Sequence, residues 1–202
     1  MIEFIQTFVF LFAVIDPLGS VPVFLEATKS YDSKIKKEIA FKAILFAAFI
    51  LVFFIVIGQI IMETMNISLS AFQISGGMIL FLFSLTMIFG DGKPLDEKNM
   101  LKDHKDVTIF PIAIPSIASP AAIMGVVILT DNHIHSVTEQ FYTTLIVLLV
   151  LFVTYLIIRV AEKIQNKIGE SGILVISKIM GLILASFAIQ SILTGIKEYF
   201  KI

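Results

Sequence analysis

Apolar residues fall in six blocks of about 20, each long enough to cross a hydrocarbon core, separated by short polar connections. They run over Phe4–Leu25, Ile39–Ile61, Leu69–Phe89, Val107–Thr130, Phe141–Ile158 and Ile173–Ile196. Runs of this length predict membrane-spanning helices, because a helix satisfies its own backbone in lipid. Two of them contain what such a helix normally excludes. The first holds Asp16-Pro17-Leu18-Gly19-Ser20-Val21-Pro22 at its middle, and the fourth holds Pro111, Pro115, Ser116 and Ser119-Pro120. Proline removes a backbone donor and breaks a helix, while Asp-Pro or Ser-Pro supplies an N-cap followed by a first helical residue. Helices 1 and 4 are therefore predicted to be broken near the midplane, with new half-helices starting at Pro17 and Pro120.

Composition and charge refine this picture. The chain is 57% hydrophobic and 15% charged with a mean hydropathy of +0.97, outside the range of soluble domains. Basic residues are segregated: Lys29, Lys34, Lys36, Lys37 and Lys42 flank the first connection, Lys93, Lys98, Lys102 and Lys105 fill the third, and Arg159, Lys163, Lys167 and Lys178 surround the fifth. The second and fourth connections have none. By the positive-inside rule, the odd connections are cytoplasmic and both termini outside; Lys197 and Lys201 in the tail are the discordant charges. Met1-Ile2-Glu3-Phe4 lacks the basic start of a cleaved signal peptide, so the first span is expected to stay. A net charge of −1 gives no reason to expect nucleic acid, and the absence of cysteine excludes disulfides and thiolate metal sites.

The two halves resemble each other. Ile74-Ser75-Gly76-Gly77-Met78 parallels Ile176-Ser177-Lys178-Ile179-Met180 at an offset of 102 residues, and Asp16-Pro17 parallels Ser119-Pro120 at 103. Each half has three spans, an odd number, so the second must enter the membrane in the opposite sense. The expected fold is an all-α integral membrane protein, one transmembrane domain over 1–202, built as inverted three-helix repeats 1–89 and 107–202 joined by a cytoplasmic linker, 90–106.

Paired broken helices in opposed halves are the best sequence pointer to a transporter's binding site. Each half-helix N-terminus offers N–H groups and partial positive charge to an anion, and the freed carbonyls beside it suit a cation. An isolated proline merely bends a membrane helix, but paired breaks with an intramembrane carboxylate point to function. Candidate substrate- or ion-binding residues are Asp16, Pro17, Gly19, Ser20, Pro22, Pro115, Ser116, Ser119, Pro120 and Ala121, with Gly76 and Gly77. The two glycines give helix 3 a small face for either a substrate or another helix. Gln59, Gln73 and Gln190 serve interhelical hydrogen bonds or substrate contact. His133 and His135 beside Asp131 lack a third ligand, so no metal is expected, and His104 lies alone in a charged linker. Enzyme readings fail: no histidine lies within a span for a hydrolase, a second intramembrane aspartate is missing for a carboxylate-pair protease, and no GxxxxGK[ST] loop is present.

Asp16-Pro-Leu-Gly19-Ser-Val-Pro22-Val-Phe24 resembles the DPxGxxPxF signature of the MarC family of six-span membrane proteins, grouped with LysE-like transporters. Phe72 to Leu80 is similar to that family's third helix, Pro111 to Ile123 to its PLAxPxxAGPGAI fourth helix, and Met180 to Leu184 with Gln190 and Gly195 to its sixth. Ser119 and Ala121 depart from glycines usual there, and Lys178 from an arginine. The resemblance implies transport of neutral amino acids. The expected function is secondary transport of small neutral amino acids or similar zwitterions across a bacterial or archaeal plasma (inner) membrane. It uses no cofactor, but a proton or sodium ion is the expected coupling ion. The substrate carboxylate would sit at the half-helix starting near Pro120, and its ammonium or the ion near Asp16. The partners are the bilayer and a small-molecule substrate, and so few helices to wall off a path leave room for a homodimer. The alternatives are a non-transporting scaffold whose lysine-rich loops bind anionic lipid or a partner, and an exporter of a hydrophobic or toxic compound.

Overall fold

The computed structural model describes residues 2–90 and 107–201, and these are all-helical, with no strand among them. The elements are α1 (Ile2–Ile15), α2 (Ser20–Ala27), α3 (Ser33–Thr64), α4 (Leu69–Phe89), α5 (Thr108–Ile117), α6 (Pro120–Leu129), α7 (Val137–Arg159) and α8 (Ala161–Phe200). Five spans are long and apolar enough to cross a membrane, α1 with α2 forming the first, and α5 with α6, bent by 52°, makes a sixth. Residues 91–106, which carry His104, four of the lysines and nearly all of the expected linker, lie outside the described residues.

Helix starts follow from local chemistry. Asp32 accepts the Lys34 and Ile35 N–H groups at the head of α3, and Ser68 accepts that of Ala71 at the head of α4. Ser136 and Glu139 form a reciprocal capping box on α7, satisfying N–H groups that the first turn leaves open. At Gly169, φ is 69° and ψ 171°, a backbone region that residues with a Cβ rarely adopt, so the chain turns there between the basic segment 161–168 and the last span.

Burial separates the crossings into two kinds. The most apolar stretch of the first crossing is 67% buried, against 22% for α3, so the broken crossing is central and the continuous helix peripheral. On α3, Phe41, Leu45, Phe49 and Phe53 recur every four residues on one exposed face, the stripe expected against lipid. This division follows from backbone chemistry, because a break releases N–H and C=O groups that hydrocarbon cannot satisfy. The broken segments α1, α2, α5 and α6 pack on one another and on α3, α7 and α8.

The most extensive helix pairing joins α4 and α8, which run antiparallel. Glycines let the backbones approach: a Cβ at Gly77 would lie 2.8 Å from the Ala188 carbonyl, one at Gly181 3.2 Å from that of Ser84, and one at Gly195 2.8 Å from that of Ser70. Ser191 Oγ donates to the Gln73 carbonyl, and Lys178 Nζ, 2.8 Å from the Ile88 carbonyl, caps the last turn of α4. A Lys36–Glu162 ion pair of 2.7 Å puts the first and fifth connections at one end of the bundle. Gln59 Nε2, 3.3 Å from His133 Nδ1, joins the second and fourth at the other. The lysine-bearing first and fifth connections thus share one end of the bundle, and the lysine-free second and fourth connections the other. Gly77→Val is expected to lower stability by about 1–3 kcal/mol or more through overpacking, read as thermal unfolding in detergent; an unchanged midpoint would contradict the close α4–α8 contact.

Candidate functional site

The first break begins where α1 stops at Ile15. Asp16 takes φ 48°, a left-handed conformation that Asp tolerates better than most residues. Its Oδ1 then accepts the Gly19 N–H at 3.0 Å, while its carbonyl accepts the Ser20 N–H at 3.1 Å. A Cβ at position 19 would fall 1.8 Å from Asp16 Oδ2, so this close approach of backbone to carboxylate requires glycine.

The second break repeats these bonds with different residues. Ser119 Oγ accepts the Ala122 N–H at 3.0 Å, and its carbonyl accepts the Ile123 N–H at 2.9 Å, with Pro120 opening α6 as Pro17 opens the turn before α2. Upstream, α5 is an irregular wide-turned helix, extended at Phe110 and Ile114, because proline pushes the residue before it out of the helical region. The Phe110–Pro111 and Ile114–Pro115 peptide bonds are cis.

The breaks meet. Ser116 Oγ donates to Ser20 Oγ at 3.2 Å, and Ser20 Oγ lies 3.1 Å from the Asp16 carbonyl and 3.4 Å from that of Ser116. Ser177 reaches in from α8 and donates to Asp16 Oδ1 at 3.2 Å. Asp16, Ser20, Ser116 and Ser177 thus form one hydrogen-bonded cluster at the middle of both broken crossings. It is buried: exposure is 2% for Asp16 and 0% for Ser116. Hydroxyls both donate and accept, so the cluster can exchange bonds among its own members for bonds to a small polar guest.

The other expected site residues fall around it. Ser119 is buried beside the cluster but caps its own helix, Pro22 and Pro115 are half-buried, and Ala121 lies in the buried wall of α6. Gly76 faces Met124 and Ile128 of α6, and Gly77 faces α8, so both glycines are taken up by helix contacts. Sequence reasoning treated Ser177 only as a marker of the repeat, although its place in that motif was the available signal. Asp131, expected in an outer loop, is buried, with Oδ1 3.1 Å from His133 Nδ1. Among the described residues, no three metal-ligating side chains converge.

A cavity of 740 Å³ opens at the lysine-poor end of the bundle. Its walls come from the start of α1, α4 and α7 and the end of α6 and α8, and they include Phe10 and Phe187. These two rings meet edge to face with centroids 5.0 Å apart. Phe10 precedes Asp16 by six residues, about 9 Å of helix.

The pattern of the MarC family integral membrane proteins matches residues 1–200. The chain belongs to the MarC family. It is 34% identical to a UPF0056 membrane protein of Methanocaldococcus jannaschii over 96% of both chains. It is 33% identical to one of Pyrococcus horikoshii over the full length of both, and 32% identical to one of Bacillus subtilis over 98% of this chain and 96% of that relative. No solved structure matches it. In this MarC protein, Ser119→Ala would leave the Ala122 N–H without its cap. Thermal unfolding should show a loss of about 0.5–2 kcal/mol; no loss would mean that another group takes over the bond.

Proposed function

We propose that the protein is a secondary transporter of small neutral amino acids or similar zwitterions, binding them where its two broken crossings meet. The observation that carries this reading is the buried Asp16 carboxylate in a cluster of serine hydroxyls, beside two capped half-helix starts in mid-membrane. Ionisable groups at that depth are costly and are kept for pathways and coupling. A dipolar guest suits the division of charge. Asp16 already occupies the start of its own half-helix, so an ammonium, a proton or a sodium ion goes to Asp16 and the carbonyls beside it. The guest's carboxylate goes to the start of α6, where the Ser119 hydroxyl accepts from Ala122 and still has a hydrogen to give.

The buried cluster corresponds to the occluded condition of such a site, and the cavity at the lysine-poor end to the approach from one side. The positive-inside rule makes that side the exterior, with both termini there. The matched offsets of the Asp16-Pro17 and Ser119-Pro120 motifs, and the matching bonds at the two breaks, support an inverted repeat in which one half rocks against the other.

Uptake of labelled glycine or alanine into liposomes containing the purified protein tests this. Wild type is expected to accumulate label in response to an imposed proton or sodium gradient. Asp16→Asn, and Gly19→Ala, which displaces the carboxylate, are expected to reduce uptake by about tenfold or more, in line with loss of a charged hydrogen bond. Full activity in Asp16→Asn would remove that residue from the mechanism, and no uptake by wild type under either gradient would sink the transport reading.

A further inference from the structure

The 740 Å³ cavity carries chemistry of its own. Gln73, on its wall, is 3% exposed, and its side-chain Oε1 has no hydrogen-bond partner in the structure. A buried amide oxygen left unsatisfied costs free energy that a donor inside the cavity would recover. The neighbouring polar atoms do not supply that donor: the Ser191 hydroxyl is turned to the Gln73 backbone carbonyl, and Gln190 Nε2 to Thr194 Oγ1. The remaining charge is of one sign. Among the described residues of the lining, Glu139, whose carboxylate accepts from Ser136, is acidic and none is lysine or arginine; His135 and the Tyr142 phenol are the other titratable groups. The rest of the surface is largely apolar and aromatic, with Phe10 and Phe187 side by side.

We infer that this cavity is a binding site for an amphipathic amine, whose ammonium or amino head donates to Gln73 Oε1 and whose apolar body lies against Phe10 and Phe187. The unpartnered Gln73 oxygen, with no lysine or arginine among the described lining residues, favours a donor head over a carboxylate, which would also meet Glu139. The volume lies within the range of small-molecule sites and exceeds what the smallest amino acids fill. None of Asp16, Ser20, Ser116 and Ser177 lines the cavity, so binding of an amine in this approach is measured separately from transport through the cluster.

Full-length protein in lipid nanodiscs, titrated with 2-phenylethylamine and with its charge-reversed counterpart 3-phenylpropionate, tests the assignment by calorimetry and ligand-observed NMR. The amine is expected to bind about tenfold or more tightly than the acid, and Gln73→Leu, close in volume, to weaken the amine by a similar factor. Thr194→Phe, which fills the cavity from α8, is expected to abolish binding without use of Gln73. Asp16→Asn is expected to bind the amine as wild type does, because Asp16 lies outside the cavity. Equal affinity for amine and acid would make the cavity an unselective or acyl-chain site and overturn the inference, as would wild-type affinity in both Gln73→Leu and Thr194→Phe. Loss of binding in Asp16→Asn alone would move the amine to the central cluster. Absence of amino acid uptake would remove the transport reading and leave this site standing.

Discussion

A backbone that stops being helical halfway across a membrane must find partners for the N–H and C=O groups it releases, and this constraint organises the molecule. At the first break, Asp16 and its carbonyl take up Gly19 and Ser20; at the second, Ser119 takes up Ala122 and Ile123. What local capping leaves open is met by bringing the breaks together, through Ser20 and Ser116, with Ser177 added from α8. Backbone groups released in this way cannot be left to lipid. The first broken crossing is wrapped by neighbours, and the second is buried at Ser116 and Ser119 although Phe110 and Pro120 are exposed, while the continuous helices α3, α4, α7 and α8 pack around them.

That arrangement explains the placement of small residues. Glycines where α4 and α8 cross allow the backbones within van der Waals range of each other. In lipid such packing is a main source of helix association, because burying apolar side chains gains little when the solvent is itself apolar. Gly19 does a different job, giving up its side chain so that the Asp16 carboxylate can fold back on the new helix. Removal of a Cβ thus serves packing at Gly77, Gly181 and Gly195, and electrostatics at Gly19.

Much of this was legible in the sequence because hydrocarbon leaves few options. Block hydropathy marked the six spans, and the Asp-Pro and Ser-Pro pairs marked both breaks, since each signal is local. As expected, α6 starts at Pro120 with Ser119 as its cap, whereas α2 starts at Ser20 and not at Pro17, because the Asp16 carboxylate binds the Gly19 N–H and holds Pro17–Gly19 in a turn. The all-helical, membrane-spanning fold and the MarC membership follow the reading closely. Features that depend on which helix meets which were not legible. In sequence Gly76 and Gly77 suit a packed helix or a substrate, and only the placement of α6 and α8 against them decides for packing. Ser177 bonds to a residue 161 positions away, and the burial of Asp131 depends on how its loop folds over the ends of helices, which no local pattern encodes. The cavity beside Gln73 is formed by the ends of five elements and has no sequence signature at all.

As a transport site, the buried Asp16 cluster is reached from water when the two halves move. The chain has no cysteine, so a single Ser116→Cys substitution reports on the cluster alone. In sealed vesicles of known orientation, membrane-impermeant thiol reagents are expected to label this cysteine, with amino acid or an imposed ion gradient changing the side from which labelling occurs. Resistance to reagent from both sides under every condition, in protein that remains folded, would rule out a water-accessible cluster and leave the broken helices as packing features of a static membrane scaffold.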